Sequence, residues 1–221
     1  MAITLSCEKL IVVEGGSDKA LFNGLLNNRN IIGFDVLCPW DMEKGLEGED
    51  AIRHLLDAIV ISRNFEKLQK ILIVIDSDDN PDDKFKKFQA VLSKTKPFSD
   101  GNRYPIPNNP NEFSPAGGGL QVAIQLLPTP QATGAMETLC WNAAIAHCQS
   151  VQSCIDEFAN CVGAHNWSPQ KLAKFKLRSL ISTQHQSNPD LPTTYLWEQA
   201  PTIVPLESNI FDPLAEFLAN L

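Results

Sequence analysis

Two places in the chain set carboxylates at the end of an apolar run. In Lys70-Ile-Leu-Ile-Val-Ile-Asp-Ser-Asp-Asp-Asn80, a β-branched and apolar run ends in Asp76, Asp78 and Asp79. In Lys9-Leu-Ile-Val-Val-Glu14 a second run ends in Glu14, and Asp18 follows four residues later. Asp76 and Asp78 are two apart, so at a strand tip their side chains can point the same way while Ser77 points to the other face. Hard oxygen donors on one side of a strand end are what a divalent ion such as Mg²⁺ takes. Two such strands running parallel would bring both carboxylate sets to one sheet edge, the edge where open α/β folds place ligands. Glu14, Asp18, Asp76 and Asp78 would then form one acidic cluster whose mutual repulsion a cation or protons must relieve. The bland alternative is that acidic strand ends are solvated caps, and Asp79-Asn80 before Pro81 reads as a turn.

The elements that would position these residues follow from periodicity. After the strand ending at Glu14, Gly15-Gly16 break the chain, and Ser17 reads as the N-cap of a helix carrying Leu21, Phe22, Leu25 and Leu26 on one stripe. Ile31 to Cys38 reads as a second strand closed by Pro39, and Ile52, Leu55, Leu56, Ile59 and Val60 keep the spacing of an amphipathic helix. The strand from Lys70 follows, then a helix opened by Pro81 with Phe85, Phe88, Val91 and Leu92 inward. A proline-rich stretch from Lys96 to Gly119 reads as a long loop and, lying next in sequence to the acidic strand end, as a candidate lid. Leu120 to Leu127 reads as a fourth strand. Strands alternating with helices imply a parallel sheet, so the fold class is α/β with about four strands.

From Gly134 onward the pattern is helical, with apolar stripes at Met136, Leu139, Cys140, Ala143 and Ala144, then at Val151, Cys154, Ile155, Phe158 and Val162. Further helices begin at Ser168-Pro169 and after Pro213. The expected organisation is an α/β domain over residues 1–130 and a helical extension over 131–221, packed on the sheet or beside it.

Composition narrows the function classes. A chain of 221 residues with 43% apolar content can bury a proper core. A net charge of -8 argues against broad adhesion to duplex DNA while leaving room for a local basic groove. Six cysteines without a CxxC pair, and no signal-like or membrane-length apolar run, point to reduced thiols and a cytoplasmic protein without a membrane partner.

Taken together, the motifs resemble the Toprim domain of topoisomerases, primases and overcoming-lysogenization-defect nucleases: a strand ending in Glu-Gly, an Asp four residues on, and a later strand ending in Asp-x-Asp. Over nearly its full length the chain is similar to a bacterial, Toprim-related family, DUF3226. The matching pieces are Val13-Glu-Gly-Gly-Ser-Asp18, Ile75-Asp-Ser-Asp78, Gly134-Ala-Met-Glu-Thr-Leu139, Lys174-Phe-Lys-Leu-Arg178 and Phe211-Asp-Pro-Leu-Ala-Glu-Phe-Leu218. The resemblance implies a Toprim-like fold, Mg²⁺ (or Mn²⁺) at Glu14, Asp76 and Asp78, and phosphodiester chemistry on nucleic acid in catalytic members. In the nuclease branch it further implies roles for Asp18 and Glu137 at a second metal and for Lys174 as a stabiliser of negative charge. The glycine that many Toprim domains carry after the second Asp is replaced here by Asp79-Asn80-Pro81, and no tyrosine sits in a topoisomerase-type motif.

Other readings stay beside this one. Glu137 also suits the first turn of a helix, and Lys171, Lys174 and Arg178 suit a solvated stripe. Three functions remain open: a metal-dependent nuclease, a non-catalytic module binding a nucleotide or a protein partner, and, ranked last, a nucleotide-sugar transferase using Asp-x-Asp. Zinc at Cys140, Cys148, Cys154, Cys161, His147 and His165 lacks the spacing of a common zinc module, and the cysteines at or beside apolar helical positions read as small hydrophobes. Lys84, Lys86, Lys87, Lys94 and Lys96 read as a solvated helix face.

Overall fold

A computed structural model describes residues 3–46, 48–116 and 119–221. Gly117 and Gly118 of the proline-rich loop, and the His147 side chain weighed for zinc, lie outside the described residues. The chain forms an α/β fold whose four strands are all parallel, in the order β2-β1-β3-β4. The strands are β1 (Lys9–Val13), β2 (Phe34–Leu37), β3 (Lys70–Asp76) and β4 (Gln121–Leu127). Around them lie α1 (Gly16–Asn28), α2 (Gly48–Val60), α3 (Pro81–Ser93), α4 (Met136–His147), α5 (Gln149–Cys161), α6 (Pro169–Gln184), α7 (Leu196–Gln199) and α8 (Asp212–Ala219).

The β1 and β3 sequences are apolar through their centres because both faces of the sheet are covered. One set of alternate residues, Leu10, Val12, Ile71, Ile73 and Ile75, packs against α2 and α3 through Ile52, Leu55, Leu56, Phe88 and Leu92. The other set, Ile11, Val13, Leu72 and Val74, packs against α1, α4 and α6 through Phe22, Leu25, Cys140 and Leu177. That second core runs on through Leu196, Val204, Phe211 and Leu218, so the helices after Gly134 cover one face of the sheet. Arg29, just past α1, ties this wrap down by donating to the carbonyls of Leu206 and Ser208 and pairing with Asp212 at 2.8 Å.

In its elements and loops the structure differs from the sequence expectations as follows. The second strand is shorter than Ile31 to Cys38, because Gly33 adopts a left-handed φ of 89° just before Phe34 and the extended backbone begins only there. The helix after β1 begins at Gly16, with Gly15 rather than Ser17 as N-cap, and the Asp18 carboxylate accepts from the Gly15 amide at 3.1 Å. On α5 the inward stripe is Ile155 and Ala159, which leaves Cys154, Phe158, Cys161 and Val162 exposed instead of buried. The loop from Lys96 runs along the free edge of β4: Asn111 and Ser114 donate backbone N–H groups to the carbonyls of Ile124 and Val122. Satisfying the unpaired edge of a sheet accounts for this segment. None of its described residues lines the acidic cavity.

Candidate acidic site at the strand edge

In the order β2-β1-β3-β4 the connection from β1 runs outward one way and that from β3 the other, so the crevice of the sheet opens at the carboxyl ends of β1 and β3. The register pairs Val13 with Val74, which sets Glu14 level with Ile75 and next to Asp76. A cavity of 300 Å³ lies there, lined by Glu14, Asp18, Trp40, Asp76, Glu137 and Lys174 among others. Four of the carboxylates singled out in the sequence, together with Lys174, therefore face one space, and they come from the residue after β1 and from α1, β3, α4 and α6.

Local structure fixes each of them. Asp18 is in the first turn of α1, where its bond to the Gly15 amide closes that turn. Trp40 forms a wall by resting on Gly16, at which a Cβ would approach the indole to 3.0 Å. Asp76 ends β3 against the N-terminus of α4 and accepts from the Met136 amide at 2.8 Å through Oδ1, an orientation that the positive end of the helix favours. Glu137 is the next residue of α4, and its Oε2 is buried with no hydrogen-bond partner among the described residues.

Asp78 goes elsewhere. It takes a left-handed φ of 52°, and its backbone exchanges two hydrogen bonds of 2.9 Å with Gly134. Gly134 itself has φ 139° and would bring a Cβ to 2.6 Å from the Thr138 hydroxyl, so only glycine suits this bridge. The carboxylate of Asp78 turns to Lys84, whose Nζ lies 2.8 Å from Asp78 Oδ2 and 3.2 Å from Glu14 Oε1. Lys84 is consequently no solvated lysine: 13% of its side chain is exposed, and it joins the two acidic strand ends. The signal was present in the sequence, since Lys84 precedes the core residue Phe88 by four and so shares its face; its ammonium sits 5.7 Å from the Phe88 ring centre. Lys86, Lys87, Lys94 and Lys96 are exposed as expected.

The electrostatics are those of a site short of positive charge. Burial, followed by the charges of Glu14 and Glu137, pushes the Asp18 carboxyl up to about 7. Asp76 is pushed well above the carboxylate range by burial and then by Asp18, Glu14 and Glu137. Burial also raises Glu14 and Glu137, against the pull of Lys84 on the first and of Lys174 and Arg178 on the second. Burial works against the charge of Lys174, but Glu137, Asp76 and Asp18 outweigh it and raise its pKa. Beneath the cavity the Cys140 thiol is fully buried and held protonated.

The donor set is all carboxylate oxygen, which suits a hard divalent ion, and the unpartnered Glu137 oxygen fits the same demand. As they stand, no three His, Cys, Asp or Glu side chains among the described residues are gathered closely enough to hold an ion. Among the described residues, too, no helix is long and apolar enough to cross a membrane.

Comparison with curated proteins found no match, and comparison with solved structures found none. A family model described as a protein of unknown function, DUF3226, matches residues 8–221. With nearly the whole chain covered by that match, this protein belongs to the DUF3226 family.

Proposed function

We propose that this protein takes Mg²⁺ or Mn²⁺ in the acidic cavity and uses it to hydrolyse phosphodiester bonds of nucleic acid, in the manner of the Toprim nucleases its motifs resemble. The observation that carries this reading is the convergence of Glu14, Asp18, Asp76 and Glu137 on one cavity at the sheet's crevice, with their carboxyl groups raised by burial and crowding. A divalent ion there would polarise a phosphoryl oxygen and lower the pKa of a bound water. Asp76 is held by the Met136 amide through one oxygen, which leaves the other for a ligand. Glu14 and Glu137 supply further donors, with Asp18 completing a second position. Lys174, the cation on the cavity wall, offsets negative charge that develops on the phosphoryl group. Lys84 keeps Glu14 and the strand end together from behind. All six cysteines are unpaired, which suits a cytoplasmic setting.

The test is cleavage of plasmid and single-stranded DNA with Mg²⁺ or Mn²⁺ by the wild type and by Asp76→Ala. Loss of a direct ligand exceeds the roughly 10- to 100-fold typical of outer-shell partners, so the variant is expected to fall by about 10²-fold or more. Equal activity in both proteins, or none in either, would remove the nuclease reading. A second reading, a non-catalytic module that binds metal or nucleotide, is favoured by the pairing of Asp78 with Lys84 and by the net charge of -8. Metal binding without cleavage would select it. The transferase reading has Asp-x-Asp holding one ion, and the diversion of Asp78 to Lys84 weakens it.

A further inference from the structure

Lys174 borders two depressions. Besides closing the acidic cavity, it lines an adjoining groove of 700 Å³ together with Trp167, Ser168, Lys171, Phe175 and Arg178. Lys171, Lys174 and Arg178 stand at i, i+3 and i+7 on α6 and so share one helix face. All three are exposed and none forms an ion pair among the described residues, whereas Lys176 on the same helix is paired with Asp156 at 2.6 Å. Trp167 is 48% exposed, and its ring is held edge-on against Phe175 with centres 5.6 Å apart. On the same wall the Ser168 hydroxyl is buried without a hydrogen-bond partner among the described residues.

A positive track beside an anchored, half-open indole is the combination that binds unpaired nucleotides, through phosphate neutralisation and base stacking. A duplex fits less well: its bases are stacked away from the indole, and the net charge of -8 opposes a stiff, densely charged rod. We propose that this groove docks single-stranded nucleic acid, with a base stacked on Trp167, phosphates on Lys171 and Arg178, and the strand led past Lys174 into the acidic cavity. This inference rests on the phosphodiester reading, for which it names the substrate class.

The test is fluorescence anisotropy with labelled oligothymidylate, oligouridylate and a DNA duplex of equal length, in EDTA so that neither metal nor cleavage contributes. The single strands should bind more tightly than the duplex. Lys171→Glu combined with Arg178→Glu, both at exposed positions, should weaken binding by about tenfold or more and flatten the salt dependence by about 0.7 for each phosphate no longer neutralised. Trp167→Ala should weaken it by about tenfold at unchanged salt slope, and Trp167→Phe should restore most of the loss by keeping an aromatic face. Equal binding of the two single strands supports recognition by stacking and phosphate alone, and tighter binding of oligouridylate supports an added hydrogen bond to the 2′-hydroxyl. Wild-type affinity in the charge-reversed and Trp167→Ala proteins, with helical circular dichroism retained, or a preference for the duplex, would overturn the proposal. Cleavage that needs Asp76 alongside variants that bind normally would reject the groove alone. Variant-sensitive binding without any metal-dependent cleavage would reject the phosphodiester reading and leave the groove standing.

Discussion

On the α2 and α3 side of the sheet, the buried carboxylate Asp57 has a partner for each oxygen: the Lys96 amide lies 2.7 Å from Oδ1 and Arg53 3.6 Å from Oδ2. The neighbouring Tyr104 hydroxyl, also buried, donates to the Leu56 carbonyl. On the α1 and α4 side, Asp18, Asp76 and Glu137 share a cavity in which backbone amides satisfy single oxygens of Asp18 and Asp76, and Glu137 Oε2 has no partner among the described residues. The fold thus compensates a buried charge on one face with an amide hydrogen bond and an ion pair, and leaves several carboxylates crowded together on the other. Asp57 belongs to folding, while the crowding of the cavity carboxylates opposes it.

Removing a carboxylate charge should therefore act with opposite signs on the two sides. The largest effect on stability is expected from Asp57→Ala, which strands the Lys96 amide and leaves Arg53 only its exposed partner Asp50, and it should lower unfolding free energy by about 1–3 kcal/mol in denaturant titration. Lys84→Met comes next. It removes the cation between Glu14 and Asp78 and should cost about 1 kcal/mol, the upper value for exposed pairs, and added Mg²⁺ should recover part of that loss. The smallest effect, and the one that reverses sign, concerns Asp18. Its carboxyl is raised from the usual 3.8 to about 7, so the folded protein holds a proton that the unfolded chain has released. The stability linked to that proton is complete below pH 3.8 and is lost as the pH rises through about 7. Without metal, the wild type should then melt at a lower temperature at pH 8 than at pH 5.5. Asp18→Asn keeps an acceptor for the Gly15 amide while removing the charge, and should melt higher than the wild type at pH 8 by a few degrees, with little difference at pH 5.5. Equal melting temperatures of wild type and variant at both values would erase the contrast between the faces.

The sequence disclosed the scaffold better than the details of the site. Five apolar residues before Asp76 are legible as a strand covered on both sides, and the helix stripes at Leu21–Leu26, Ile52–Ile59 and Phe85–Leu92 follow from burial on a parallel sheet. Glu14 and Asp76 meet because strand direction alone carries them to one edge. Asp78 is different: two-residue alternation predicts that it points with Asp76, but the period ends with the strand, and the bridge to Gly134 turns Asp78 toward Lys84. That bridge joins residues far apart in sequence, so no local pattern announces it. Amphipathic spacing on α5 likewise shows that a stripe exists without showing which of two adjacent stripes meets a neighbour, and for that reason spacing alone points Phe158 and Val162 inward when both are exposed.

That the cavity carboxylates await a divalent cation is tested most directly by calorimetric titration of Mg²⁺ and Mn²⁺ into the metal-free protein at neutral pH. Repeating the titration in buffers of different ionisation enthalpy counts protons released, because a ligand must shed its proton to bind. The expected result is one or two saturable sites in the wild type with measurable proton release, and loss of binding in Asp76→Asn with the fold retained. No saturable binding, or binding in Asp76→Asn indistinguishable from the wild type, would contradict it.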